Sequence, residues 1–302
     1  MKIDLHMHSA LSKDGELSFA ALAQMAEERG MNVIALSDHD TAEGVQEMTA
    51  RAAERNIEVI PAIECSTLLG PETVHVLGLG IDPQDPYLKG IRIKIEKANE
   101  AVFEQRLQKL NDKYGLDIEL DQVLREAAGK NPWFVLIHKI LKDPRIQDHP
   151  DFQDYLPGGS RSDPAPVNFY WDKCTCGSDL HVPSWFPDFY ETIDRIHAAG
   201  GAAVIAHPFR TFYQKEDLLQ SAIDRGIDGL EAYSNYHTLE MNEWYAGYAE
   251  RNGLLITCGS DFHGINKPSI RMGEYGYDGP AEKIYARLKE RMALRKEEAG
   301  KK

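Results

Sequence analysis

Short runs of β-branched and other apolar residues recur along this chain, at 2–5, 32–37, 58–63, 74–80, 203–206, 229–233 and 254–258. Each is followed by a helical pattern or by a loop that carries a histidine or a charged residue. Runs of this length and composition are strands buried on both faces. Between them lie amphipathic helical stretches at Ser18 to Arg29, Thr41 to Arg55, Phe186 to Ala199 and Leu239 to Asn252. Three of these end at Gly30, Gly200-Gly201 and Gly253, where glycine commonly stops a helix. Alternating strands and helices joined by short turns imply a largely parallel sheet. Seven such units predict an α/β fold closed, or nearly closed, into a (β/α)7 barrel.

Residues 82–166 break the rhythm. Tyr87 to Tyr114 forms one long charged helical pattern, followed by shorter ones at Asp121 to Ala128 and Phe134 to Lys142, with no β-type run between them. The chain is therefore expected to form a barrel from 1–81 and 167–302, with 82–166 as a helical insertion covering the active site. Residues 157–184, rich in Gly, Pro, Ser and Asp, are expected to be a long loop.

At 302 residues the chain can bury a large core. Its formal net charge of −14 argues against a protein that coats duplex DNA through a broad basic surface. A small anion held by bound cations remains compatible with that charge, because the ions reverse the local field. No apolar stretch is long enough for a membrane span. Motif material begins almost at Met1, leaving no room for a cleavable signal, so the cytoplasm is the expected location. The four cysteines are too few and scattered for a disulfide framework. Cys65 and Cys258 adjoin strand-like runs and are expected to be buried. Cys174 and Cys176, with His181 nearby, lack the usual C-x-x-C zinc spacing and are expected to be loop cysteines.

The histidines fall where strands end. His6 and His8 follow the first run in D-L-H-M-H-S, and His39 follows the second in S-D-H-D-T. Glu64 ends the third, His75 opens the fourth and His207 follows the fifth, while Asp261 and His263 follow the seventh in G-S-D-F-H-G. In a parallel barrel the strand ends converge on one face. Alternate residues of an extended segment point the same way, so H-x-H and D-x-H can each aim two donors at one ion. A single histidine at a strand end is more often a structural hydrogen-bonder, and Asp14 in Lys-Asp-Gly is equally a turn signal. The joint pattern points to metal. Imidazole mixed with carboxylate suits Mn²⁺, Fe²⁺ or Zn²⁺, and more than four ligands implies more than one ion.

Together D-L-H-M-H-S…D-G, S-D-H-D-T, the Glu of I-E-C-S, H-V-L-G-L, I-A-H-P and G-S-D-F-H resemble the PHP (polymerase and histidinol phosphatase) family. The resemblance runs in order along nearly the whole chain. Length and insertion are similar to its stand-alone phosphoesterase branch, which includes 3′,5′-bisphosphonucleotide phosphatases, a 5′–3′ exoribonuclease and a cyclic-phosphate dihydrolase. It implies a distorted (β/α)7 barrel and a trinuclear site whose ligands are His6, His8, Asp14, His39, Glu64, His75, His207, Asp261 and His263. Two to three divalent ions are expected, manganese first and iron or zinc as alternatives. Asp38 would support His39 or carry a proton beside it.

Other candidates for the substrate are Arg210, Arg161, Ser234 and His138, and His237 for proton donation to the leaving oxygen. The relatives usually carry Arg-x-His on an insertion helix, and here that stretch is Leu136-Ile137-His138. A substrate with two phosphates is therefore expected to be handled less well than one with a single phosphate. The expected reaction is hydrolysis of a small phosphomonoester, cyclic phosphate or RNA end by a hydroxide bridging the ions. The alternative is a metal-dependent amidohydrolase, disfavoured because no lysine ends a core strand.

Overall fold

The computed structural model describes residues 1–12 and 14–301, with the side chain of Arg210 outside that description. In chain order the elements are β1 (Ile3–Met7), α1 (Phe19–Glu28), β2 (Val33–Leu36), α2 (Val45–Ala53), β3 (Glu58–Leu69) and β4 (Glu72–Leu79). Then come α3 (Pro86–Tyr114), α4 (Leu120–Ala127), α5 (Pro132–Ile140), α6 (Ala165–Lys173) and α7 (Phe189–Ala198). The rest is β5 (Ala202–Ile205), α8 (Phe209–Phe212), α9 (Glu216–Asp224), β6 (Gly229–Ser234), α10 (Leu239–Arg251), β7 (Leu255–Gly259) and α11 (Ala281–Ala299).

Two compact units result, one of residues 1–92, 186–265 and 270–302, the other of 93–185 with 266–269. The division falls within α3 rather than at residue 82. Residues 167–185, expected with the barrel, group with the helices instead.

In the first unit the seven strands form one sheet in the order β1 to β7. Neighbours are parallel except β4, which runs antiparallel to both β3 and β5. The reversal follows from the short link of Gly70 and Pro71, with Gly70 at φ 59° and Leu69 paired with Glu72. A link this short can only join antiparallel strands. The last strand returns to the first through a parallel bridge between Met7 and Phe262, where His8 N–H donates to Phe262 O and Asp261 N–H to His6 O, both at 2.9 Å. The buried Asp4 carboxylate reinforces this seam by accepting from Ser260 Oγ at 2.6 Å and Gly273 N at 2.7 Å. The sheet is thus a distorted, nearly closed barrel, as expected.

Alternation along the strands sets the two faces. Ile3, Leu5, Val33, Ala35, Leu77 and Leu79 share one cluster with Ile284 and Leu288 of α11. Ile34, Leu36 and Met7 pack on α1 and α2, and Val76, Ile205 and Leu230 on α7, α9 and α10. Ser18, Asp188 and Thr238 cap α1, α7 and α10 through side-chain oxygens.

The second unit buries its own core, including Leu107, Leu110, Leu136, Ile137, Phe152 and Phe169. Helix α6 lies inside the stretch expected to be loop. Its Phe169 is fully buried, and Trp133 Nε1 donates to Pro166 O at 2.8 Å. Aromatic burial here replaces the periodicity that the turn-rich flanks obscure. No helix of the described residues is long and apolar enough to cross a membrane.

Candidate metal centre

His6 lies in β1 and His8 just beyond it, so the extended backbone turns both rings to one side. His39 follows β2, Glu64 lies in β3, His207 follows β5, and Asp261 with His263 follows β7. Because β4 is reversed, its first half lies beside the second half of β3, and His75 pairs with Ser66. A histidine near the start of a strand thereby joins groups that stand at the ends of others.

Glu64 is the hub. Its Oε2 lies 3.2 Å from Nε2 of His6 and of His8 and 3.0 Å from Nδ1 of His39. Its Oε1 lies 2.9 Å from His75 Nδ1 and 3.0 Å from His207 Nε2. Asp261 Oδ1 stands 3.2 Å from His6 Nε2 and 2.9 Å from His8 Nε2. Asp14 Oδ2 is 3.2 Å from His263 Nε2 and 3.5 Å from His39 Nε2. All nine expected residues therefore meet in one cluster. Three overlapping groups have donor atoms within 4.8 Å of one another: His8, His39 and His263; His6, His8, Glu64 and Asp261; and His39, Glu64 and His75.

The hydrogen bonds behind these rings test whether cations fit. His6 Nδ1 lies 3.0 Å from Glu231 Oε1, and His263 Nδ1 lies 2.7 Å from the Asp261 carbonyl. His8 Nδ1 lies 3.0 Å from Ser12 Oγ, whose own proton goes to Asp38 Oδ1 at 2.8 Å. Each Nδ1 thus carries a proton, which turns the Nε2 of each ring toward the cluster. Nε2 of His6 and of His8 and Oε2 of Glu64 are buried and make no hydrogen bond among the described residues. Lone pairs facing lone pairs at about 3 Å are what donors sharing an ion at about 2.1 Å would show.

Electrostatics agree. Burial opposes charge on Glu64, yet His6, His39 and His75 with His207 hold its carboxyl well below the usual range. Burial likewise disfavours a charged His6, but Glu64, Glu231 and Asp261 outweigh it and raise its pKa well above the ordinary value. His39 is raised to about 10, against its burial, by Glu64 and Asp14. These carboxylates demand positive charge, which protons or divalent cations can supply.

Several supporting residues escaped the sequence reading. Glu231 is fully buried in β6 and accepts from His6 through Oε1 and from His207 N at 2.7 Å through Oε2. A charged residue inside the apolar run G-L-E-A-Y was the available signal. Ser12 also accepts from His39 N at 2.9 Å. At Gly259 an added Cβ would meet His6 Cβ at 2.3 Å and Glu231 Oε1 at 2.5 Å, so only glycine admits this approach. His207 and Asp261 adopt left-handed backbone, with φ 25° and 57°.

Asp38 accepts from Ser9 N and Oγ, both at 2.7 Å, and from Ser12 Oγ. It therefore fastens the loop behind His8 and His39. Ser234 Oγ and His237 Nε2 are buried without a hydrogen-bond partner among the described residues. His237 Nδ1 faces Ala232 O and Asn242 Oδ1 at 3.1 and 3.2 Å, and burial holds its pKa below the ordinary value. The Arg210 side chain lies outside the described residues. His138 and Arg161 belong to the second unit, where His138 is exposed and Arg161 makes a two-pronged bond to Asp172 at 2.9 and 3.0 Å. Cys65 and Cys258 are buried, and Cys174 too packs in the second unit's core, leaving Cys176 exposed.

Residues 4–124 match the PHP domain. A 3′,5′-nucleoside bisphosphate phosphatase of Chromobacterium violaceum is 32% identical over 270 residues, covering 86% of this chain and 87% of that protein. A 5′-3′ exoribonuclease of Haemophilus influenzae is 30% identical over 274 residues, covering 87% and 90%. A solved structure described as an amidohydrolase from Chromobacterium violaceum, with bound sulfate, superposes with a TM-score of 0.63 at 28% identity over 96% of this chain and 97% of that one. A barrel whose strand ends gather these histidines and carboxylates, and whose sequence aligns along most of its length with such relatives, belongs to the PHP family.

Proposed function

We propose that this PHP-family, metal-dependent phosphoesterase hydrolyses a small nucleotide-like phosphomonoester or a cyclic phosphate, with two or three divalent ions held by the nine clustered residues. The carrying observation is the overlap of three donor groups through His8, His39 and Glu64, since shared ligands are how adjacent ions are held. Manganese is the first choice, with iron or zinc as alternatives, because the donors mix imidazole and carboxylate. Bound there, such ions supply Lewis acidity and lower the pKa of water.

The chain's own residues do the rest. Glu231, Ser12 and the Asp261 carbonyl hold His6, His8 and His263 with Nε2 facing inward. Ser234 Oγ and His237 Nε2, buried and without a hydrogen-bond partner among the described residues, are the proposed contacts for a substrate oxygen or hydroxyl. Arg210, three residues beyond His207, is proposed as a charge-stabilising contact on its position in the sequence.

The two relatives are named for a bisphosphonucleotide and for RNA ends, which supports a nucleotide-like substrate. The manganese-loaded protein should be tested on adenosine 3′,5′-bisphosphate, short 5′-phosphorylated RNA and sugar cyclic phosphates. Hydrolysis of none of them, read as released phosphate, released nucleotide or opened ring, would overturn the substrate class.

The structure described as an amidohydrolase favours a second reading, hydrolysis of a non-phosphate substrate. Against it, none of the seven strands contains a lysine that could bridge two ions. Turnover of p-nitrophenyl phosphate against amide and lactone substrates separates the two.

A further inference from the structure

Two of the nine clustered residues, His207 and Asp261, hold backbone conformations that non-glycine residues rarely adopt, at φ 25° and φ 57°. Such a residue is strained and persists only where its surroundings fix it. Both touch the same side chain, Tyr236, which follows β6. Its hydroxyl donates to Asp261 Oδ2 at 2.6 Å, and its ring meets the His207 imidazole edge-on, with centroids 5.6 Å apart and planes at 79°. The ring is itself backed by Phe209, stacked at 5.6 Å and 17°.

The contact also assigns work to the two Asp261 oxygens. Oδ2 accepts the phenol proton, while Oδ1 faces Nε2 of His6 and of His8. A carboxylate free to rotate could exchange these roles, and the phenol prevents that. Carboxylates that ligate ions are commonly fixed by a hydrogen bond of this kind.

We propose that Tyr236 is a positioning residue for the metal centre, fixing the Asp261 carboxylate with its hydroxyl and the His207 ring with its face. It rests on the metal reading above, and nothing in the sequence motifs points to it. Loss of the hydroxyl alone should loosen Asp261, and loss of the ring should loosen His207 as well.

The test measures ion retention rather than turnover. Wild type, Tyr236→Phe, Tyr236→Gln and Tyr236→Leu are loaded with Mn²⁺, dialysed against graded chelator and analysed for bound metal, with metal-free melting recorded for each. The expected result is a fall of about tenfold in tolerated chelator for Tyr236→Phe, at the lower end of what such supporting groups contribute. Tyr236→Gln, whose amide can still donate, should recover part of it, and Tyr236→Leu should lose more than Tyr236→Phe. Metal-free melting of Tyr236→Phe should match wild type. Retention by Tyr236→Phe equal to wild type overturns the positioning role while leaving the metal centre standing. A wild-type chain that takes up no Mn²⁺ overturns the metal reading, and this proposal with it.

Discussion

Glu231 Oε1 takes the Nδ1 proton of His6 at 3.0 Å, and both residues are fully buried. One charged carboxylate thereby sets the tautomer of a ring whose other nitrogen faces Glu64 and Asp261. Its second oxygen holds the backbone N–H of His207 at 2.7 Å, so it organises two strand ends at once.

Glutamine at 231 keeps the shape but offers one oxygen for two donors. Glu231→Gln should weaken Mn²⁺ binding by about 10–100-fold, as loss of a supporting partner usually does. Calorimetric titration of the metal-free protein checks this, and an unchanged affinity would remove Glu231 from the site.

Metal content tests the number of ions. Elemental analysis of protein prepared with Mn²⁺ should give two to three ions per chain, and His8→Ala, which takes a donor from two of the three groups, should lower that number and abolish most turnover. A value at or below one with full activity would exclude a multinuclear centre.

Gly259 should tolerate no side chain. Gly259→Ala would press a methyl against His6 Cβ and Glu231 Oε1. Overpacking of this kind costs about 1–3 kcal/mol, and turnover should fall with the displaced imidazole. Urea denaturation and kcat measured on one substrate would reveal both effects.

Away from the metal centre, Asp228 gives a pH signature. It is fully buried between His197, Arg291 and Arg295, and although burial opposes ionisation, His197, Arg295 and the Ala203 N–H lower its pKa to about 2. A depressed carboxylate pKa stabilises the fold above the unfolded value of 3.8, and that stability is lost as pH falls toward 2. The contribution is about 2 kcal/mol by linkage. Asp228→Asn should therefore lower stability at pH 7 and flatten its decline between pH 4 and 2, as measured by denaturant midpoints.

The arginine missing from the insertion cannot simply be restored. Leu136 is fully buried in the second unit's core, so Leu136→Arg places an unpaired charge among Ile137, Phe152 and Phe169. The variant should melt well below wild type, and a wild-type melting temperature would show that an arginine here can reach water or an anion.

Much of the architecture was legible because the strands are short, apolar and regularly bounded; Val33–Leu36 and Ala202–Ile205 stand within one residue or so of their expected limits. The clustering of the histidines and carboxylates was legible for the same reason, since a barrel brings strand ends together wherever they lie in sequence. Helix α6 was hidden by turn-forming neighbours. Glu231, Ser12 and Tyr236 were hidden because a residue that holds another residue leaves no spacing rule behind. His75 was found at the wrong end of its strand for a parallel barrel, and only the β3–β4 hairpin explains why it belongs.

The seam between β1 and β7 gives the cluster a mechanical meaning. Asp4 and Ser260, 256 residues apart in sequence, are neighbours here, and beside them His6 and His8 face Asp261. Most adjacent strands of the sheet pair along three or more residues, whereas this closure rests on one bridge and a few side chains. Anything that ties Asp261 to the two histidines ties the first strand to the last, acting as a reversible cross-link over a very long loop. Chelation should accordingly be felt first as faster amide exchange at Met7 and Phe262, with the β3–β4 hairpin still protected. Ions held there would also clasp the barrel shut.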